Sequence, residues 1–190
     1  YVIGDDVFIP PQLDQYFTET VIRKPGSYMC FDDTTEISAK AFTRADLGLP
    51  QDAFVLTGFH SSYKITPFVF DSWCRILKRV DRAVLWLAKV NSIAEDNLRK
   101  EIEKRGISSQ RLIFAKREEC LSDHLARHRC GDILVDTFNY NAHSTAMDAL
   151  WSGLPVVTLM GQNSFGRVGA SLLTAVGLPE LIAETEEEYE

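Results

Sequence analysis

The residues best suited to chemistry lie at the junction His143-Ser144-Thr145-Ala146, with Asp148 one turn further on. Here a polar loop, Thr137 to His143, hands over to a helix that starts at about Ser144. A helix start leaves backbone N–H groups unpaired and turns the positive end of its dipole outward, so it attracts anions. Ser144, Thr145 and Ala146 are small enough to let a phosphate reach that backbone. Asp148 follows one turn later, where a carboxylate can meet a sugar hydroxyl. On these residues alone an ordinary N-cap at Ser144 and a surface His143 are the simpler account, because Ser and Thr cap very many helices.

Three further groups invite the same scrutiny. Lys64, in Tyr63-Lys64-Ile65-Thr66-Pro67, precedes a helix start and can swing over a crevice to neutralise a pyrophosphate. Taken singly it reads more readily as a solvated lysine, since most lysines are exposed. His124 and Arg127 share one helix face and can grip a planar base and a phosphate or carbonyl, or belong to a mixed-charge surface helix. Cys120, His124, His128 and Cys130 have spacing that permits zinc, but no second ligand pair supports a metal site. No G-x-G-x-x-G, P-loop or G-x-S-x-G run occurs, which disfavours dinucleotide enzymes, P-loop NTPases and serine hydrolases.

The elements that must position these residues alternate. Strands are expected at Phe54–Gly58, Ala83–Leu87, Leu112–Phe114, Ile133–Asp136 and Pro155–Leu159. Helices are expected at Pro67–Arg79, Ser92–Lys104 (capped by Ser92 with Glu95 in a capping box), Glu118–Arg129, Ser144–Gly153 and Ser164–Val176. Thr43-Arg44-Ala45-Asp46 resembles a further helix start. The strands are almost wholly apolar, as strands covered on both faces must be. The pattern predicts an α/β fold, a Rossmann-like doubly wound parallel sheet with ligands beyond the carboxyl ends of its strands. Residues 1–40 read as the end of a preceding lobe plus a linker, and residues 41–190 as the sheet-bearing lobe. Both termini read as cut from a longer protein.

Composition sets the background. The net charge of −7 disfavours nucleic acid as a partner, so any basic site must be a local pocket. The chain has 45% hydrophobic and 25% charged residues, the balance of a soluble globular protein. Four cysteines without a C-x-x-C pair read as free thiols in a reducing cytoplasm. No signal peptide and no apolar run of membrane-spanning length is present, and no membrane association is expected.

Five segments taken together resemble the catalytic region of O-GlcNAc transferases, inverting glycosyltransferases of the two-lobed GT-B type. They are Tyr63–Pro67 (YKITP), His124–Arg127 (HLAR), Asp136-Thr137, Asn141–Leu159 (NAHSTAMDALWSGLPVVTL) and Arg167–Ser171 (RVGAS). They occur in the family's order, and the resemblance is densest from Phe54 onward. It implies the C-terminal lobe of a GT-B fold with a short remnant of the preceding lobe. It implies that Lys64 contacts the donor pyrophosphate and stabilises the departing UDP, and that His124 and Arg127 lie beside the uracil. His143, Ser144 and Thr145 match the helix start that holds the β-phosphate, and Asp148 matches the ribose-binding aspartate. Ser61 stands where the animal enzymes carry a glutamine, Ser144 replaces a threonine, and Ala115–Asp123 differs from the animal loop at the uracil.

The resemblance therefore implies transfer of GlcNAc from UDP-GlcNAc to a Ser or Thr hydroxyl of an acceptor protein. It implies no cofactor or metal, and tetratricopeptide repeats earlier in the full chain. This piece would hold UDP and be inactive alone. Two other readings stay open: a non-catalytic interaction domain with a glycosyltransferase-like fold, and a GT-B transferase for another nucleotide sugar.

Overall fold

The computed structural model describes residues 1–190. Its centre is a six-stranded, wholly parallel sheet. A separate parallel pair, β1 (Val2–Gly4) and β2 (Val21–Arg23), precedes it. The large sheet comprises β3 (Phe54–Gly58), β4 (Ala83–Ala88), β5 (Leu112–Ala115), β6 (Ile133–Val135), β7 (Val156–Leu159) and β8 (Ile182–Ala183). Its spatial order is β5-β4-β3-β6-β7-β8. The chain therefore builds outward from β3 to β5, returns to the other side of β3, and builds outward again. The reversal leaves a crevice where β3 and β6 meet, the place at which ligands enter sheets of this kind.

Alternation along each strand explains why the strands carry so few polar residues. Leu56, Leu85 and Leu87 join one buried cluster with Trp73, Leu77 and Ile102 of the helices α1 (Pro67–Arg79) and α2 (Ser92–Lys104). Their neighbours Val55, Val84 and Trp86 face the opposite side with Leu49, Phe59 and Cys130. Both faces are dry, so both sets of alternate residues are apolar. A third cluster lies over β6 and β7. There Leu134 and Val156 pack with Ala146 and Ala149 of α4 (Ser144–Trp151) and Val168, Leu172 and Leu173 of α5 (Val168–Ala175). Phe8 and Ile9 complete it, with Val2, Val21 and Tyr28 around its margin, so the first thirty residues pack on the α4–α5 side.

Local chemistry fixes the helix ends. Pro67 opens α1, and the Thr66 hydroxyl accepts a hydrogen bond from the Val69 amide at 3.3 Å. The cap of α2 is Asn91, one residue earlier than the expected Ser92; its side chain accepts from the Ala94 amide at 2.9 Å. α4 ends in a Schellman motif: Leu154 N–H reaches Ala149 O at 2.8 Å and Gly153 N–H reaches Leu150 O at 3.1 Å, with Gly153 at φ 83°.

Several expected boundaries shift. The helix expected over Glu118–Arg129 shortens to α3 (Leu121–Arg127) plus a 3-10 turn at His128–Cys130, because Cys120 is extended. The helix expected from Ser164 begins as a separate 3-10 turn, Ser164–Gly166, and α5 follows it. Thr43–Asp46 forms a turn closed by the Asp46 carboxylate on the Thr43 amide and hydroxyl, not a helix. The acidic helical pattern over Glu184–Glu190 forms the short α6 (Glu186–Tyr189), and β8 lay beyond the sequence expectations. No helix is long and apolar enough to cross a membrane.

Candidate functional site

The crevice is stitched closed at its base. His60 follows β3, is buried, and its Nε2 lies 2.7 Å from Val135 O at the end of β6. A carbonyl can only accept, so Nε2 carries the hydrogen and Nδ1 does not. Burial lowers the His60 pKa to about 4 and keeps the ring neutral. Below it, Tyr189 donates to Asp136 O at 2.8 Å while accepting from Trp73 Nε1 at 3.0 Å. α6 thus ties the end of β6 to α1.

Asp136 follows β6 and organises the next loop. It is fully buried. Its Oδ1 accepts from the amides of Thr137 at 2.7 Å and Ala142 at 2.6 Å, and its Oδ2 accepts from Thr158 Oγ1 at 2.8 Å. Burial pushes its pKa up to about 7, against the three donors and the Lys64 charge, which favour the carboxylate. Gly169 leaves the room this requires: a Cβ there would lie 2.7 Å from Asp136 Oδ2 and closer still to Thr158 Oγ1.

Asn141 supplies a second clamp. It is fully buried and every polar group it has is used. Nδ2 donates to Thr137 O at 2.6 Å and Phe138 O at 3.3 Å, Oδ1 accepts from Gly169 N at 3.2 Å, and its amide donates to Phe165 O at 2.9 Å. Its carbonyl oxygen accepts from Lys64 Nζ at 2.8 Å and from His143 Nδ1 at 2.9 Å. Lys64 and His143 therefore meet on one atom.

The start of α4 lies beside them. The cap residue is His143, not Ser144, and its side chain makes no capping bond. His143 O takes the amides of Ala146 and Met147, each at 3.1 Å. The amides of His143, Ser144 and Thr145 have no acceptor in the chain. The ordinary-cap account of Ser144 is thereby removed, and an exposed Ser144 leaves the approach open. Lys64 has no carboxylate partner within ion-pair distance, and burial lowers its pKa. The arrangement offers free amide donors and an ammonium joined through Asn141, the chemistry of an anion seat. Asp148, one turn along α4, is half-buried; burial alone raises its pKa, and its carboxylate has no hydrogen-bond partner in the chain.

His124 and Arg127 come together, but Arg127 does not face solvent. It is 4% exposed, and its guanidinium donates to Lys116 O, reaches Glu118 Oε1 at 3.5 Å and lies 4.7 Å from the Phe59 ring centre. It also meets His124 Nδ1 at 2.6 Å. A guanidinium only donates, so His124 Nδ1 accepts and Nε2 carries the hydrogen. Burial and the Arg127 charge hold the His124 pKa at about 3. Arg127 thus sets the tautomer of His124 and pins the loop after β5. His128 Nδ1 is spent on His124 O at 2.8 Å, and no group of three or more His, Cys, Asp or Glu side chains can hold a metal ion.

Asp136, Asn141, His60 and Tyr140 lie in segments that the sequence singles out after strand ends or in the resemblance, but type and spacing gave none of them an individual role in this assembly.

A parallel sheet with this switch point is a Rossmann-like lobe. A mutant O-GlcNAc transferase of Thermobaculum terrenum superposes on the whole chain with a TM-score of 0.83 at 32% identity, over 35% of its own length. TarM of S. aureus shares the fold alone, with a TM-score of 0.53 at 11% identity over 99% of this chain and 39% of that one. The chain belongs to glycosyl transferase family 41, whose profile it matches over residues 1–190. It is 39% identical over 147 residues to the UDP-N-acetylglucosamine-peptide N-acetylglucosaminyltransferase of Caenorhabditis elegans, across 77% of this chain and 13% of the relative. It is 32% identical across its whole length to the probable enzyme SEC of Arabidopsis thaliana, of which it spans 20%.

Proposed function

We propose that this chain is the donor-holding lobe of a UDP-GlcNAc-dependent protein O-GlcNAc transferase. One observation carries the reading: Lys64 and the partnerless amides of His143, Ser144 and Thr145 converge beside the switch point. In this reading the diphosphate of UDP sits on those amides. Lys64 stabilises the negative charge that grows as the anomeric bond breaks and an acceptor Ser or Thr hydroxyl attacks with inversion. Asp148 takes the ribose hydroxyls. His124 offers its Nε2–H and ring face to the uracil, and Arg127 contributes by holding His124 and Lys116 in place. No metal is needed for charge that an ammonium and a helix terminus already offset.

Residues 1–40 serve as the end of the preceding lobe and residues 41–190 as the UDP lobe. The remainder of the protein supplies the opposite wall of the cleft, tetratricopeptide repeats that recruit the acceptor, and a cytoplasmic setting. The test is calorimetric titration of the chain with UDP, GDP, ADP and UMP. UDP binding tighter than UMP and the purine diphosphates is expected. Absence of binding, or equal binding of UMP, defeats the reading in favour of a non-catalytic domain or another donor.

A further inference from the structure

Tyr140 touches both Lys64 and His143 of the anion seat. Lys64 Nζ lies 4.2 Å from its ring centre. The same ring stacks on His143 at 5.0 Å and 29°, and on Phe165 at 5.3 Å and 6°. Its backbone is fixed on both sides: Thr137 Oγ1 donates to Tyr140 O at 2.7 Å, and the next amide, of Asn141, donates to Phe165 O at 2.9 Å. The ring is nevertheless 41% exposed, and its hydroxyl makes no hydrogen bond in the chain. Neither burial nor the phenol oxygen accounts for a tyrosine here; the ring face does.

Lys64 supplies the complementary need. An ammonium has three N–H donors. Asn141 O takes one, and no carboxylate stands within ion-pair distance. A half-desolvated ammonium lacking further acceptors is attracted to the negative face of an aromatic ring. That face is presented by the residue immediately before the one whose carbonyl it already holds. We propose that Tyr140 is a positioning residue for Lys64: its ring face and the Asn141 carbonyl hold the ammonium over the start of α4, ready for a diphosphate. The proposal rests on the diphosphate reading of that helix start.

If the ring face does the work, Tyr140→Phe is equivalent to wild type and Tyr140→Leu is not. In NMR spectra of the lysine-labelled chain, the Lys64 Hε protons are expected upfield of those of the other lysines, through the ring current. Tyr140→Phe keeps that shift and Tyr140→Leu abolishes it, with melting curves confirming that both variants fold. UDP affinity should be unchanged in Tyr140→Phe and fall about three- to tenfold in Tyr140→Leu, the range of a partly exposed cation–π contact. On a Lys64→Met background Tyr140→Leu should cost nothing more. Lys64 protons without an upfield shift in wild type, or a folded Tyr140→Leu that binds UDP as wild type does, overturns the proposal. A wild-type chain that shows the ring-current shift but does not bind UDP overturns the diphosphate reading instead, and the purpose assigned to Tyr140 with it.

Discussion

Lys64 and Asn141 stand 77 residues apart in the chain and meet across the switch point, Nζ to carbonyl oxygen at 2.8 Å. The contact joins the loop after β3 to the loop before α4, and so fixes the distance between the ammonium and the free amides. In the intact enzyme, Lys64→Ala should remove about 3 kcal/mol of transition-state stabilisation, roughly a hundredfold in kcat/KM, as for other charge-stabilising donors. Steady-state kinetics of the full-length variant checks this; near-normal turnover would rule out the role.

The geometry of that loop depends on Asp136. Replacing it by Ala strands two buried amides and a buried hydroxyl. Asp136→Ala should lower unfolding stability by about 3–5 kcal/mol, and Asp136→Asn by less, since one amide oxygen still accepts. Gly169→Ala should act on the same group through crowding, at about 1–3 kcal/mol. Urea denaturation of the three variants gives the order. An Asp136→Ala chain as stable as wild type would show that the carboxylate does not organise the loop.

Acid should destabilise the fold well above the ordinary carboxylate range. His60, His124 and His128 are kept neutral by burial, with pKa values of about 4, 3 and 4 against 6.5 for a free ring. A depressed folded-state pKa contributes stability that is present above pH 6.5 and is lost as pH falls, because only the unfolded chain takes up protons. Each such histidine costs about 1.4 kcal/mol per pH unit below that point. Asp136, raised to about 7, has the opposite sign: the folded state binds its proton first, so it gains stability over the same window. Three histidines outweigh one carboxylate. Calorimetric melting should show Tm falling from pH 7 to pH 5; a level or rising Tm would show that these rings are not held neutral.

Arg127 is expected to act through its neighbours. Arg127→Met keeps much of the volume but frees His124 Nδ1 and Lys116 O. UDP affinity should fall, and the His124 pKa should rise toward its ordinary value as the adjacent charge is lost. NMR titration of the imidazole reads the second effect directly, and an unchanged His124 titration would contradict it.

The architecture was legible because it rests on repetition. Runs such as Ala83–Ala88 and the spacing of Val69, Trp73, Ile76 and Leu77 report burial through period, and tertiary packing follows period closely. Caps were read less well: Ser92 and Asn91 both suit an N-cap, and only backbone geometry chose Asn91. β8, of two residues, is too short to show any period. The site was half legible. His143, Ser144, Thr145 and Lys64 drew notice by position at element ends, but type alone favoured an ordinary cap and a solvated lysine, and only the resemblance raised them. Asn141 and Tyr140 lie in the same loop but had no individual role, because the hydrogen bonds of one and the ring contacts of the other arise from tertiary packing that residue type does not advertise. Arg127 was read as facing a ligand, whereas tertiary packing turns it onto Lys116 O.

The most direct test of the central claim is amide NMR of the chain titrated with UDP. The account predicts that the N–H resonances of His143, Ser144 and Thr145 shift together, and furthest, with saturation that weakens in Lys64→Met. UDP that binds without moving those three amides, or moves residues elsewhere instead, would contradict it.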